Sequence, residues 1–106
     1  MLFRSYVTDV AEAVVTSIFS AKADSAIINI GTGVEVTINE ITRTILALAK
    51  SRSVVKYEPP RPGDIRRSVT TMDRAIALLD FAPKVGLSEG LDQTLAWVRA
   101  QKSSAA

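Results

Sequence analysis

Between Glu58 and Asp64 the chain reads Pro-Pro-Arg-Pro-Gly, and no helix or paired central strand can run through that stretch. Each proline fixes its own φ, lacks a backbone N–H and pushes the residue before it out of the helical region. The run therefore ends whatever element precedes it, and Pro62-Gly63 forces a turn before the next one begins.

On either side, the apolar spacing switches between helical and extended periods. Asp9 with Glu12 three residues later has capping-box form, and Val10, Ala13, Val14 and Ile18 then share a face, predicting a helix over about 9–21. Ser25 to Ile30 reads as a buried strand and Val34-Glu35-Val36 as a short alternating one. Thr37-Ile38-Asn39-Glu40 is a second capping box, opening a helix with Ile38, Ile41, Ile45 and Leu48 on its buried face. Val54 to Tyr57 reads as a strand stopped by Pro59 and Pro60, and Ile65 to Val69 resumes an extended pattern. Two helices close the chain, over about 72–79 and 88–101, the second turning Leu91, Leu95 and Val98 inward. The expectation is an α/β fold: a small mixed sheet with about four helices, one domain over 1–101 and a flexible tail over 102–106.

Composition narrows the chemistry. At 106 residues and 47% apolar, the chain suits a single domain with a core. It has no cysteine, hence no disulfide, thiolate nucleophile or Cys-based metal site. It has no histidine either, which removes the commonest general base and transition-metal ligand. A net charge of +2 tolerates an anionic ligand but lacks the clustering of a dedicated nucleic-acid binder. No apolar run approaches the roughly 18 residues of a membrane span, and Met1-Leu2-Phe3-Arg4 does not open a signal peptide. The expected location is the cytoplasm.

Two short stretches invite a ligand. Gly31-Thr32-Gly33 follows an apolar run, as a dinucleotide loop would. However, the third glycine position of G-x-G-x-x-G is Val36, several residues separate Gly33 from the helix, and no Gly-Lys-Ser/Thr is present. A turn between two strands is the better reading. The second stretch is "PPRPGDIRRS", residues 59 to 68, which presents Arg61, Asp64, Arg66 and Arg67 on a tight bend. A guanidinium fork suits bidentate phosphate contacts and an aspartate can accept bonds from ribose hydroxyls. Taken alone, the same residues also describe an ordinary solvated turn.

The order of the pieces decides between these readings. "YVTDVAEA", "NIGTGVEVTINEI", "PPRPGDIRRS" and "DFAPKVGLSEGLDQTLAWVRAQ", in that sequence over nearly the whole chain, resemble the carboxy-terminal third of the extended short-chain dehydrogenase/reductases. More narrowly, they are similar to the UDP-glucose 4-epimerase-like NAD-dependent epimerase/dehydratases acting on nucleotide sugars. The resemblance implies a small substrate lobe that closes over the nucleotide sugar, beside a Rossmann domain holding NAD and a catalytic Tyr-x-x-x-Lys. It implies that Arg61 contacts the substrate pyrophosphate and that Asp64 lies near the nucleotide ribose. Tyr6 and Asp9 match the aromatic and acidic residues of a Tyr-Val-Asp-Asp-Val stretch leading into a helix near the domain junction. Thr8 stands at the first of its two aspartates, and Leu2-Phe3-Arg4 does not match the basic pattern usual just upstream.

What is missing matters as much. Four residues after Tyr6 and after Tyr57 stand Val10 and Arg61, so no Tyr-x-x-x-Lys occurs. The expectation is a nucleotide-sugar-binding lobe, catalytically silent on its own, with no catalytic or metal-binding residue and no NAD bound by this chain alone. A scaffold or protein-interaction module that has lost the ligand is the alternative, and a nucleic-acid binder using Lys50, Arg52, Lys56, Arg66 and Arg67 is a third reading. Expected partners are a weakly held nucleotide sugar, a Rossmann-domain chain, and a second copy meeting it through Leu2, Phe3, Tyr6, Val7, Val34 and Val36.

Overall fold

The computed structural model describes residues 5–64 and 67–104. Its regular structure is α1 Val7–Phe19, a 3-10 turn Ala21–Ala23, α2 Ile38–Ala49, α3 Asp73–Leu79 and α4 Leu87–Ser104. No β-strand occurs among the described residues, so the expected α/β fold with a small mixed sheet is overturned. The described fold is all helical.

The reason lies in what a strand requires. Its stability comes from a paired neighbour and from cross-strand side chains, so composition alone does not make one. Residues 25–30, 34–36, 54–57 and 67–69 carry β-type composition, yet no ladder joins any two of them. Among the described residues, the backbone bonds outside the helices are local turns and caps, the longest in sequence running from the N–H of Phe81 to the carbonyl of Ala75. Side chains tie the segments instead. Arg67 forks onto Glu35, Arg74 donates from Nη1 to the Ile27 carbonyl at 3.0 Å, and the Tyr57 hydroxyl reaches Asn39 Oδ1 at 3.4 Å. Gly31 passes so close to Thr70 that a Cβ there would collide with the threonine methyl.

Helix boundaries follow local chemistry where local chemistry is strong. At α2 the Thr37 hydroxyl accepts from the Glu40 N–H at 3.1 Å while Glu40 Oε2 accepts from the Thr37 N–H at 2.7 Å, the reciprocal capping box expected. That helix ends on Lys50 in the left-handed region, with the N–H groups of Lys50 and Ser51 donating to Ala47 and Leu46 as in a Schellman motif. At α1 the expected box does not form. The helix starts at Val7 behind Tyr6, which makes no side-chain cap. Asp9 therefore sits within the first turn, and its carboxylate faces another part of the chain.

The core is small. Ala13, Ala75, Leu79 and Phe81 are buried together, with Ala23, Ile28, Ile30 and Met72 packed at their edge. This cluster joins α1, the 3-10 turn and α3, and the Ser20 hydroxyl adds a 2.7 Å bond to the Leu78 carbonyl. Separately, α2 lies along α4 with Ile41, Leu48, Leu91 and Leu95 half-buried between them. Ile38, Ile45 and Val98, expected inward, stay exposed because one helix covers only a narrow stripe and no sheet backs it. The Cα radius of gyration is 16.7 Å, against about 13 Å for a compact chain of this length.

Candidate functional site

The bend at 61–64 closes with an N–H of Asp64 donating to the Arg61 carbonyl at 3.3 Å. Proline supplies the fixed φ of the first central position, and Gly63 takes φ +84°, the combination of a type II turn. Such a turn keeps its end residues within about 7 Å, Cα to Cα, so Arg61 and Asp64 stand side by side at its base. Both are exposed, and neither side chain makes a hydrogen bond or ion pair among the described residues.

Arg67, six residues on, is differently placed. Its Nε and Nη2 donate to the two carboxylate oxygens of Glu35 at 2.8 and 2.7 Å. That bond, reinforced by the carboxylate charge, raises the guanidinium pKa above its ordinary value. Arg67 thus tethers the stretch after the bend to the turn before α2, leaving Arg61 as the bend's available guanidinium among the described residues. Arg66, Ile65, Leu2 and Phe3 lie outside them. The basic set considered for nucleic acid is also divided, since Lys56 pairs with Glu58 at 3.5 Å and Lys50 terminates α2.

The glycine turn does not form a dinucleotide cradle. Gly33 adopts φ +73°, and α2 begins only at Ile38, with its Glu40 amide already bonded to Thr37. The space beside Gly31 is filled by Thr70 and Met72. This turn therefore does not fit the pyrophosphate of NAD. No group of three or more His, Cys, Asp or Glu that could hold a metal ion occurs among the described residues.

A second constellation escaped sequence reasoning. Asp9, 2% exposed, accepts from the backbone N–H of Lys84 at 3.2 Å and of Val85 at 3.1 Å. Lys84 Nζ in turn meets Glu12 at 2.7 Å, which raises the ammonium pKa. Tyr6 packs its ring over Gly90 of α4, where a Cβ would approach within 3.2 Å. A hollow of about 100 Å³ opens beside this contact, lined by Tyr6, Val85, Leu91 and Thr94. Together these contacts clamp α1 to the loop entering α4. A signal was available: Asp9 and Ala13 are one turn apart on one face, and a carboxylate beside a buried alanine requires partners. An apolar groove of about 600 Å³ runs between Gly33, Thr70, Met72, Ile76 and Pro83, and neither Arg61 nor Asp64 lines it.

No family model matches the chain, and neither does any solved structure. Curated proteins do. The chain is 37% identical over 71 residues to a UDP-glucose 4-epimerase of Mycolicibacterium smegmatis, covering 67% of this chain and 23% of that protein. It is 33% identical over 90 residues to UDP-glucuronic acid decarboxylase 1 of Danio rerio, covering 85% of this chain and 21% of that protein. A dTDP-4-dehydro-6-deoxyglucose reductase of Escherichia coli is 26% identical over 94 residues, or 89% of this chain and 29% of that protein. The chain belongs to the NAD-dependent epimerase/dehydratase family. It spans less than a third of the length of these relatives. No helix among the described residues is long and apolar enough to cross a membrane.

Proposed function

We propose that the chain is a nucleotide-sugar-binding lobe of this family, working in the cytoplasm, and that the bend at 61–64 is its contact with the nucleotide. The observation that carries this is the placing of Arg61 and Asp64 together at the base of a closed turn, both side chains without a partner among the described residues, while Arg67 is held by Glu35. A free guanidinium can fork onto a pyrophosphate, and the neighbouring carboxylate accepts from ribose hydroxyls. NAD, bound elsewhere in such a protein, supplies hydride transfer, and a tyrosine acid/base works with it. This chain's residues bind and orient the nucleotide, and a separate Rossmann unit provides the rest.

The test is titration of the chain with UDP-glucose by calorimetry or NMR. With half the pocket present, a Kd near or above about 1 mM is expected, or about −4 kcal/mol. Arg61→Ala should weaken binding further, whereas Arg52→Ala, an equal charge change at another exposed site, should leave it unaltered. Equal binding by wild type and Arg61→Ala removes the assignment. The pure chain with added NAD should turn over no UDP- or dTDP-sugar, and turnover would defeat the reading of it as catalytically silent. A protein-interaction module without ligand is the second reading, favoured by the amount of apolar side chain left exposed.

A further inference from the structure

The bend at 61–64 has no backbone bond to another part of the chain among the described residues; the bond from the Asp64 N–H to the Arg61 carbonyl only closes it. A turn by itself fixes shape and not place. A guanidinium and a carboxylate that share one ligand must also be held in place, and the two legs of the bend supply the anchors.

Four residues before Arg61, the Tyr57 hydroxyl donates to Asn39 Oδ1 at 3.4 Å. Three residues after Asp64, Arg67 forks onto Glu35 at 2.8 and 2.7 Å. Both anchors land on one place, because Glu35 and Asn39 flank the start of α2 at Ile38. At no more than about 3.6 Å of chain per residue, Tyr57 lies within about 14 Å of Arg61 and Arg67 within about 11 Å of Asp64, Cα to Cα. The start of α2 is itself secured, by its capping box and by the packing of the helix along α4. Beyond the fork, Gly31 meets Thr70, so 31–35 and 67–70 pass each other in opposite directions and the second leg is held at two points. The fork is the stronger anchor, being bidentate and charged, whereas the hydroxyl bond is long. Other ion pairs do not reach across in this way: Lys56 with Glu58 stays within the first leg, and Lys84 with Glu12 serves α1.

From this arrangement we infer that the start of α2 is the platform that positions the bend, with Glu35 as the principal positioning residue and Asn39 as a lesser one. Each acts through a leg of the bend and not on the ligand. The inference rests on the reading of Arg61 and Asp64 as the nucleotide contact. A bend that is competent for only a fraction of the time binds more weakly by that fraction. Because an exposed ion pair shifts such an equilibrium modestly, losing the fork should weaken UDP-glucose binding about threefold and not abolish it.

NMR relaxation of the backbone amides in the unliganded chain tests the platform. In Glu35→Gln and in Arg67→Gln, order parameters at Arg61, Gly63 and Asp64 should fall from about 0.85 toward about 0.6, while Gly86, in the loop before α4, keeps its wild-type value. The double variant should be no looser than the looser single one, since both remove one contact. Glu58→Gln is the control: it removes an equal charge from a pair inside one leg and should leave the bend as ordered as in wild type. In NMR titrations with UDP-glucose, Glu35→Gln should raise Kd about threefold, and by less when Arg61→Ala is also present. Unchanged order at 61–64 in Glu35→Gln overturns the inference, as does equal loosening in Glu58→Gln or at Gly86. Binding that does not depend on Arg61 removes the nucleotide reading instead, and the order parameters still decide what holds the bend.

Discussion

Helices α1 and α2 open on the same signature, an acceptor residue with glutamate three positions later, Asp9 with Glu12 and Thr37 with Glu40. At α2 the signature closes on itself, each residue bonding the other's backbone. At α1 it opens outward, Asp9 reaching Lys84 and Val85 and Glu12 reaching Lys84. The two sites differ in burial. Thr37 and Glu40 are exposed and answer only to their own turn, whereas Asp9 is buried and faces backbone amides 75 and more residues away. A capping signature thus describes what local chemistry allows, and tertiary contacts decide whether it is used.

Substitutions can break that contrast, and the largest effect belongs to α1. Asp9→Ala strips two amides of a charged, buried acceptor. It should cost on the order of 3 kcal/mol, lowering Tm by more than about 10 °C in a thermal melt. A loss no greater than that at Thr37 would mean the long-range clamp is dispensable. At α2, Thr37→Ala removes one acceptor from an exposed first turn and should cost about 1 kcal/mol, with the loss confined to α2 in hydrogen exchange. An unchanged melting temperature would place the start of α2 elsewhere.

The smallest effect sharpens the comparison through pH. The Thr37 backbone N–H, then its hydroxyl, hold the Glu40 carboxyl below its ordinary value of 4.5, with Arg43 adding a little. A depressed carboxyl stabilises the fold above its unfolded pKa, and that contribution disappears as pH falls through the lower folded value. Melting temperature should therefore drop below about pH 4.5 in the wild type, and less steeply in Glu40→Gln. Parallel curves for the two would show that the glutamate's charge does not contribute to the cap.

How far the fold could be read from residues follows the same division. The four helices, the capping box at Thr37 and the turn at Pro62-Gly63 were readable, because each is set by φ limits or bonds within a few residues. The sheet was misread because Ile27, Ile28, Val54 and Val55 satisfy a strand's composition, while pairing depends on a neighbour that composition does not specify. At the candidate site, type and spacing described an ordinary solvated turn as well as a phosphate contact, and it was the family resemblance that singled out Arg61 and Asp64. That Arg67 differs from Arg61 was not readable, since the difference is Glu35, which lies 32 residues away in the chain. The outward face of α1 was hidden too: Val10, Val14 and Ile18 look like a core stripe until Asp9 and Ala13 are seen occupying the inward side.

The small core has a thermodynamic consequence as well. The heat-capacity change and the denaturant slope of unfolding both scale with the surface newly exposed. A monomer that already shows 8460 Å² to water has less left to expose. Its heat-capacity increment should fall below the roughly 1.3–1.6 kcal/mol/K of a compact domain this long, and its urea transition should be shallow and broad. The stability curve of such a chain is flat, changing little between refrigerator and body temperature. Warming then loosens it by degrees, and covering part of that surface would restore a sharp transition.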